Sequence, residues 1–239
     1  MANQIFKIFI FLALLIQIEP VFAEKTLVLA QKTHVFGLTN VYINNNGIKI
    51  TTSQPRLNIY CLTSNNQIYY VNLNKKIYFL TDRDHFPRPK AVSYIRDFIL
   101  KAYDSPDNSN IWQVVKPITF QNLNCLLYKL KPNTQMQKNT IKSTYIIYAT
   151  FDNCNHQFYK IYCKSLGIPY FDHQIALAYT AYTDVNEKLE LIQTNSISYI
   201  NSNFKLPNLK QYKQVNTEDK IFEYGSKVNS MTDLIEFMK

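Results

Sequence analysis

Residues 38–80 read LTNVYINNNGIKITTSQPRLNIYCLTSNNQIYYVNLNKKIYFL, and this stretch decides the fold. Short apolar runs alternate with turn signals, the clearest of which are Asn44-Asn45-Asn46-Gly47, Ser53-Gln54-Pro55 and Asn65-Asn66. Asn and Gly accept the positive φ of tight hairpin loops, while β-branched and aromatic residues suit a pleated surface. Parallel neighbours need crossovers of a dozen residues or more, so connections this short predict five antiparallel strands.

A helix is predicted directly after these strands, over residues 88–103. Val92, Ile95, Phe98 and Ile99 recur at helical spacing, which places them on one apolar face. The predicted fold class is therefore α+β: a strongly curved antiparallel sheet, or half-open β-barrel, with helices covering its concave face.

The second half of the chain continues in the same way. Gly167 and Pro169 mark the end of a predicted helix over 154–166, which Asp152 or Asn153 would cap at its start. The strands predicted around it are Trp112–Val115, Ile118–Phe120, Leu123–Leu130, Ile141–Phe151, Gln174–Tyr182, Leu189–Ser196 and Ile197–Asn201. Residues 204–215 are predicted to be extended, and the pattern of residues 25–33 fits either a strand or a short helix.

The first 23 residues have the form of a secretory signal peptide. Lys7 precedes an apolar run over residues 8–16, and Val21-Phe22-Ala23 supplies small residues for cleavage after Ala23. A membrane anchor is the alternative, but the apolar run is short for a bilayer. We expect a periplasmic or secreted protein with one domain over 24–215. The tail, 216–239, contains a predicted short helix at 231–238.

The charge balance is basic, with a formal net charge of +9. In an exported protein this favours transient contact with anionic membrane or polysaccharide surfaces. The lysines are dispersed and no nucleic-acid-binding motif accompanies them, so solvated surface lysines are the preferred explanation of the charge, and no nucleic-acid partner is expected.

The chain has four cysteines, Cys61, Cys125, Cys154 and Cys163. An oxidising compartment would permit disulfides, and their spacing matches no zinc template. Cys61 and Cys125 both fall on predicted strands and could pair, although three connectivities stay open. We expect one bridge, with free buried thiols as the alternative.

Two parts of the sequence carry a resemblance to a known family. The first is the opening meander, with its VYINNNGIKI hairpin at 41–50 and the strand at 77–80. The second is the helix end Leu166-Gly167-Ile168-Pro169, followed by strands, Phe204-Lys205-Leu206-Pro207 and Tyr212-Lys213. Together they resemble the exported LolA/LppX-like superfamily, especially its cyanobacterial-type members. The resemblance implies a half-barrel that holds acyl chains of lipoproteins or other lipids beneath its helices.

The chain also departs from that family. It has no recognisable counterpart of the amphipathic helix that begins the lipoprotein carrier. None of its arginines, Arg56, Arg83, Arg88 and Arg96, lies in a motif that matches the carrier's lid-locking arginine.

Catalytic signatures are absent from the sequence, which contains neither Gly-x-Ser-x-Gly nor a glycine-rich phosphate loop. Histidines do lie near carboxylates, in Asp84-His85, Asp172-His173 and Asp152 with His156. Such pairs are mostly solvated loop groups, so we expect no catalytic residue, no metal and no cofactor. An enzyme would need two or more of the histidines to converge in one cleft.

The sequence thus favours a soluble carrier of a lipid, lipoprotein acyl chain or other hydrophobic ligand. The predicted cavity residues are Tyr60, Tyr69, Tyr78, Ile95, Phe98 and Ile99, although a filled core predicts the same burial. The alternative is a non-enzymatic envelope module that binds a protein partner through a sheet edge or a tyrosine-rich surface. Ligand identity, partner and oligomeric state stay open.

Overall fold

A computed structural model of the chain describes residues 24–34, 36–53, 56–65, 67–83, 111–131, 141–152, 154–183, 185, 188–202 and 204–222. The predicted signal peptide at 1–23 and the predicted helices at 88–103 and 231–238 lie outside these residues. No helix within the described ranges combines the length and the apolar character needed to cross a membrane.

Twelve strands form one open sheet in the described part of the chain, in the order β12-β6-β5-β4-β3-β2-β1-β11-β10-β9-β8-β7. Their bounds are β1 Lys25–Thr33, β2 Gly37–Asn44, β3 Gly47–Thr52, β4 Asn58–Leu62, β5 Gln67–Asn72, β6 Ile77–Asp82, β7 Trp112–Phe120, β8 Leu123–Leu130, β9 Ile141–Thr150, β10 Gln174–Thr183, β11 Lys188–Asn201 and β12 Lys213–Gln214.

The five strands predicted in residues 38–80 are confirmed as β2 to β6, each paired with the next in antiparallel register. Gly47 is essential to the first of these hairpins. Its φ is +145°, and a Cβ built on it would lie 2.2 Å from the Cys61 carbonyl oxygen. Only a residue without a side chain allows β4 to approach β3 this closely.

Strand β1 joins the two halves of the sheet. It pairs with β2 on one side and with β11 on the other, antiparallel to both. The undecided segment at residues 25–33 is therefore a strand in the middle of the sheet. One pairing departs from the predicted antiparallel sheet, because β12 runs parallel to β6 over two residues. β12 reaches β6 through a long connection from the far half of the chain, which permits either strand direction, whereas a hairpin permits only the antiparallel one.

Helix α1, His156–Leu166, ends as predicted and begins later than predicted. Gly167 adopts φ +66° beyond its last residue, the left-handed conformation that closes many helices. The N-cap is Asn155, whose side chain accepts a hydrogen bond from the Phe158 amide, so neither Asp152 nor Asn153 has that role. A 3-10 turn at Leu209–Gln211 and a short helix α2, Glu218–Phe222, complete the described helical elements.

The two faces of the sheet have different environments. On β4, Ile59 and Cys61 belong to the large hydrophobic core, while Tyr60 and Leu62 point the other way. The apolar side chains of α1 and the end of α2 pack into that core. We call this side the core face and the opposite side the outer face. A large curved sheet is thus present as predicted, with α1 on its core face.

All four cysteines are buried and unbridged, so the expected disulfide is not formed. Cys61 on β4 and Cys125 on β8 are separated by six strands in the sheet order. Burial raises the pKa of Cys61 and of Cys154 to about 12, which keeps both thiols protonated at neutral pH.

Candidate ligand-binding clefts

The outer face carries two clefts, one over β8 to β11 and one over β1 to β4. The first has a volume of about 500 Å³. Its apolar lining comes from the outer-facing Leu127, Ile147 and Ala178, from Phe120 at the tip of the β7–β8 hairpin, and from the edge of the core residue Ile192. We call it the apolar cleft.

The β7–β8 hairpin forms one wall of the apolar cleft. Its loop consists of Gln121 and Asn122, whose φ values of +48° and +63° match the two-residue turn that suits twisted strands. The Gln121 side-chain amide donates a hydrogen bond to the Thr194 carbonyl oxygen. Thr194 lies on β11, and the strand order puts β10 and β9 between it and the hairpin. The hairpin tip therefore bends back over the sheet and is anchored there.

Polar and aromatic side chains line the rest of the apolar cleft. Tyr145 and Tyr182 meet edge to face with ring centroids 6.0 Å apart. Lys188 donates a short hydrogen bond to the Glu190 carboxylate, which raises the pKa of the lysine and leaves the pair without net charge. The cleft thus offers an apolar floor and a neutral polar rim, the composition of a site for a mostly hydrophobic ligand.

The second cleft, about 640 Å³ in volume, is polar. Its floor follows a cross-strand row in which Ala30 pairs with Asn40, Asn40 with Thr51, and Thr51 with Asn58. Eight of the twelve described residues that line it are uncharged and polar. We call it the polar cleft. The two clefts adjoin at β11, because Thr194 lines the apolar cleft and Asn195 lines the polar cleft.

The three predicted tyrosines lie together on the outer face. Tyr60, Tyr69 and Tyr78 form a small cluster with Leu62 and Val71 on β4, β5 and β6. We call it the aromatic patch. It lies on the face opposite α1, and burial raises the pKa of Tyr60. The other predicted site residues, Ile95, Phe98 and Ile99, lie outside the described residues.

The C-terminal segment covers the aromatic patch. Phe204, Leu206, Leu209 and Tyr212 pack against it. Two backbone hydrogen bonds of 2.9 Å fix the segment along β6, from the Lys213 amide to the Lys76 carbonyl and from the Val215 amide to the Tyr78 carbonyl. The patch is therefore already occupied by the protein's own residues 204–215.

Two histidines, His156 and His173, lie in ring contact, but they line neither of the two clefts. The rings of His156 and His173 lie 4.8 Å apart, edge to face. The Tyr170 hydroxyl donates a 3.0 Å hydrogen bond to the neighbouring Asp172. Burial, and then His173, lowers the pKa of His156.

Neither cleft is lined by a histidine, and no cluster of three or more metal-ligating side chains occurs in the described ranges. His34 is buried elsewhere, with its Nδ1 2.8 Å from the Leu191 carbonyl oxygen.

Sequence reasoning missed the apolar cleft. A signal was present, because Phe120-Gln121-Asn122-Leu123 separates two strand runs by a two-residue loop. Alternation along β9 also places Tyr145 and Ile147 on one face, with Ile146 and Tyr148 on the other. The local pattern does not reveal that the hairpin folds back over that face.

No protein-family model matches the sequence, and no curated protein sequence matches it. Similar solved structures do exist. An uncharacterized conserved protein from Thermus thermophilus has 6% identity and a TM-score of 0.44, over 86% of this chain and 98% of that chain. The MucA/MucB complex of Pseudomonas aeruginosa has 8% identity and a TM-score of 0.37, over 83% of this chain and 56% of that chain.

A putative outer membrane lipoprotein-sorting protein domain from Vibrio parahaemolyticus has 9% identity and a TM-score of 0.25, over 74% of this chain and 84% of that chain. These similarities identify no family. Membership of the LolA/LppX-like superfamily stays a prediction.

Proposed function

We propose that this protein is an exported, non-enzymatic binding protein that carries an apolar ligand, such as a lipid or a lipoprotein acyl chain, in the cell envelope. The observation that supports the proposal is the apolar cleft beneath the anchored β7–β8 hairpin. Its volume of about 500 Å³ falls within the range of small-molecule sites. Its lining combines aliphatic side chains with a neutral polar rim.

The binding energy would come from moving acyl surface out of water, at about 0.8 kcal/mol for each buried methylene. Ile147 and Leu127 supply the floor for such a chain, and Phe120 covers it from the hairpin side. Loading and release would need the hairpin tip to move, which breaks the Gln121 hydrogen bond and no covalent bond. No catalytic group is required.

The apolar cleft is preferred to the aromatic patch as the ligand site, because residues 204–215 already cover Tyr60, Tyr69 and Tyr78. A ligand would reach these tyrosines only after that segment moved.

The remaining parts of the proposal come from the sequence. Cleavage after Ala23 would release a single soluble domain over 24–215. The net charge of +9 would bring the domain to anionic membrane surfaces, where ligand is exchanged. In the half-barrel that the family resemblance implies, the core face would be the concave one.

A second candidate function, binding of a protein partner along the sheet edge, has one observation in its favour. Val114 and Val115 on the edge strand β7 are 52% and 46% exposed. However, Pro117 lies in the same strand, and its register with β8 shifts between Val114 and Lys116. A proline and a bulge both hinder the addition of another strand, so the carrier function is preferred.

Filling the cleft tests the proposal. Ala178→Phe places a ring on the floor of the apolar cleft, and Ala30→Phe makes the same change on the floor of the polar cleft. Each protein, purified from cells with its natural leader, would be examined by native mass spectrometry and solvent extraction for bound lipid.

We expect an apolar molecule to co-purify with the wild type and with Ala30→Phe, and to be lost from Ala178→Phe. A wild-type protein that carries no hydrophobe, and whose melting temperature does not change when fatty acid or phospholipid is added, would contradict the proposal. Equal loss from both variants would show that the ligand lies elsewhere.

A further inference from the structure

The polar cleft lies on the same outer face as the apolar cleft, but the side chains that line it differ in charge and polarity. The described residues that line it include a single charged side chain, Arg56, and no carboxylate. In the apolar cleft, by contrast, Lys188 is paired with Glu190.

Some polar groups of the cleft are committed to holding the sheet together. The Thr39 hydroxyl donates to the Gln31 carbonyl at 3.2 Å, and the Leu57 amide donates to the Thr52 hydroxyl at 3.2 Å. The Gln31 side-chain amide donates to the Ala176 carbonyl at 3.1 Å and to the Thr194 hydroxyl at 2.9 Å. Gln31, Thr39 and Thr52 are paired in register one position along from the cleft floor, so their side chains point to the core face and are not available to a ligand in the cleft.

Other polar side chains of the cleft are not engaged in hydrogen bonds of this kind. The side chains of Asn40, Thr51 and Asn195, and the Arg56 guanidinium, make no hydrogen bond or ion pair within the described part of the chain. Two amides, a hydroxyl and a guanidinium together offer many donors in one concavity. A ligand that satisfies them has to be rich in acceptors, and the unopposed charge of Arg56 favours an anion.

Apolar side chains lie beside these donors. Leu38 and Leu73 line the same cleft and are 59% and 38% exposed, so both present apolar surface to it. A ligand with an apolar part next to its anionic group would cover them.

We infer that the polar cleft is a binding site for an anionic oxygen group, a phosphate or a carboxylate, with Arg56 as its charged contact. Arginine suits this role because its planar fork donates two parallel hydrogen bonds to such a group. The group can belong to a free phosphate or to the head group of an amphiphile whose chain lies against Leu38 and Leu73. This inference does not rest on the carrier function, because the apolar cleft is formed by other residues.

The test measures binding of three probes by titration calorimetry: inorganic phosphate, octyl phosphate and uncharged octyl glucoside, the last two below their micelle concentrations. The proteins compared are the wild type, Arg56→Gln, and Lys116→Gln, which removes the same charge from an exposed position on β7. Both substitutions affect exposed side chains, so folding should be preserved. Ala30→Phe fills the cleft without changing the charge.

We expect Arg56→Gln to weaken octyl phosphate binding by roughly tenfold or more, the loss of a charge-assisted hydrogen bond. Lys116→Gln should change it by less than about twofold. Ala30→Phe should abolish it. Parallel effects on inorganic phosphate would identify a free phosphate as the ligand, whereas binding of octyl phosphate alone would identify an amphiphile head group.

The inference is wrong if neither anion binds the wild type, if Arg56→Gln and Lys116→Gln weaken binding equally, or if octyl glucoside binds as tightly as octyl phosphate. Ala178→Phe separates this result from the carrier function, because filling the apolar cleft should leave the affinity for inorganic phosphate unchanged.

Discussion

The Gln121 side chain donates a hydrogen bond to the Thr194 carbonyl oxygen, although two strands, β9 and β10, lie between their positions in the sheet order. This contact turns a hairpin at the sheet edge into the wall of a cleft. It also accounts for a long-chain residue at a positive φ, where Gly or Asn would be easier to accommodate. Strain at Gln121 is offset by this hydrogen bond to Thr194.

The two positions of this turn provide a matched pair of variants. Asn122→Gly relieves left-handed strain and keeps the anchor, whereas Gln121→Gly relieves strain and removes the anchor. We expect both variants to match or exceed the wild-type stability, with a gain of up to about 1 kcal/mol. Only Gln121→Gly should weaken binding of a fluorescent fatty acid, by several-fold. Thermal unfolding and fluorescence titration measure the two effects. Equal affinities for the two variants would show that the hairpin anchor does not shape the site.

His34 should make the stability depend on pH. Burial lowers the pKa of His34 from 6.5 to about 4, despite the opposing Leu191 and Leu166 carbonyls. Between about pH 4 and pH 6.5, His34 is therefore protonated in the unfolded chain and neutral in the folded protein. The contribution of neutral His34 to the free energy of unfolding is fully present above pH 6.5. It is lost as the pH falls, and the loss reaches about 3 kcal/mol once the pH is below the folded-state pKa.

Urea unfolding of the wild type and of His34→Asn across this pH range measures the effect. The asparagine amide can still donate to Leu191 and does not titrate, so its stability should fall much less with acid. His173→Gln, at an exposed position, should retain the wild-type dependence on His34. If His34→Asn follows the wild-type curve, another group is responsible.

Two buried threonines should respond oppositely to valine. Thr144 is 0% exposed, and its hydroxyl has no hydrogen-bond partner among the residues that the structure describes. Thr144→Val replaces that unsatisfied group by a methyl of similar shape, and should stabilise the protein by about 1 kcal/mol. The Thr194 hydroxyl donates to the Leu177 carbonyl and accepts from Gln31. Thr194→Val should therefore cost about 2 kcal/mol. Chemical denaturation compares them, and a loss of stability in Thr144→Val would contradict the assignment.

The two glycines of the first hairpins should differ in their tolerance of alanine. Gly47→Ala would push a methyl group into the backbone of β4, and we expect a loss of about 3 kcal/mol or more. At Gly37, φ is +63° and the nearest atom to a new Cβ is the Ser53 hydroxyl at 3.5 Å. Gly37→Ala should cost only the backbone strain, about 1 kcal/mol. Melting temperatures that fall equally would show that close strand approach is not the constraint at Gly47.

The sequence by itself determined the local elements. Alternating apolar residues and Asn- or Gly-containing turns gave β2 to β6, and helical spacing closed by Gly167 gave the end of α1. These features depend on contacts between residues close in the chain, and a two-residue turn fixes the pairing of the strands on either side of it.

Only the tertiary structure decided how distant segments meet. It placed β1 beside β11, brought His156 next to His173, and put Tyr60, Tyr69 and Tyr78 under the C-terminal segment. It also bent the β7–β8 hairpin back to Thr194 and opened two clefts of different polarity on one face. The physical reason is that the alternation of side chains along a strand determines which of two faces each one lies on, but not which other segment packs against that face. What covers each face depends on contacts between residues far apart in the sequence, which local periodicity does not encode.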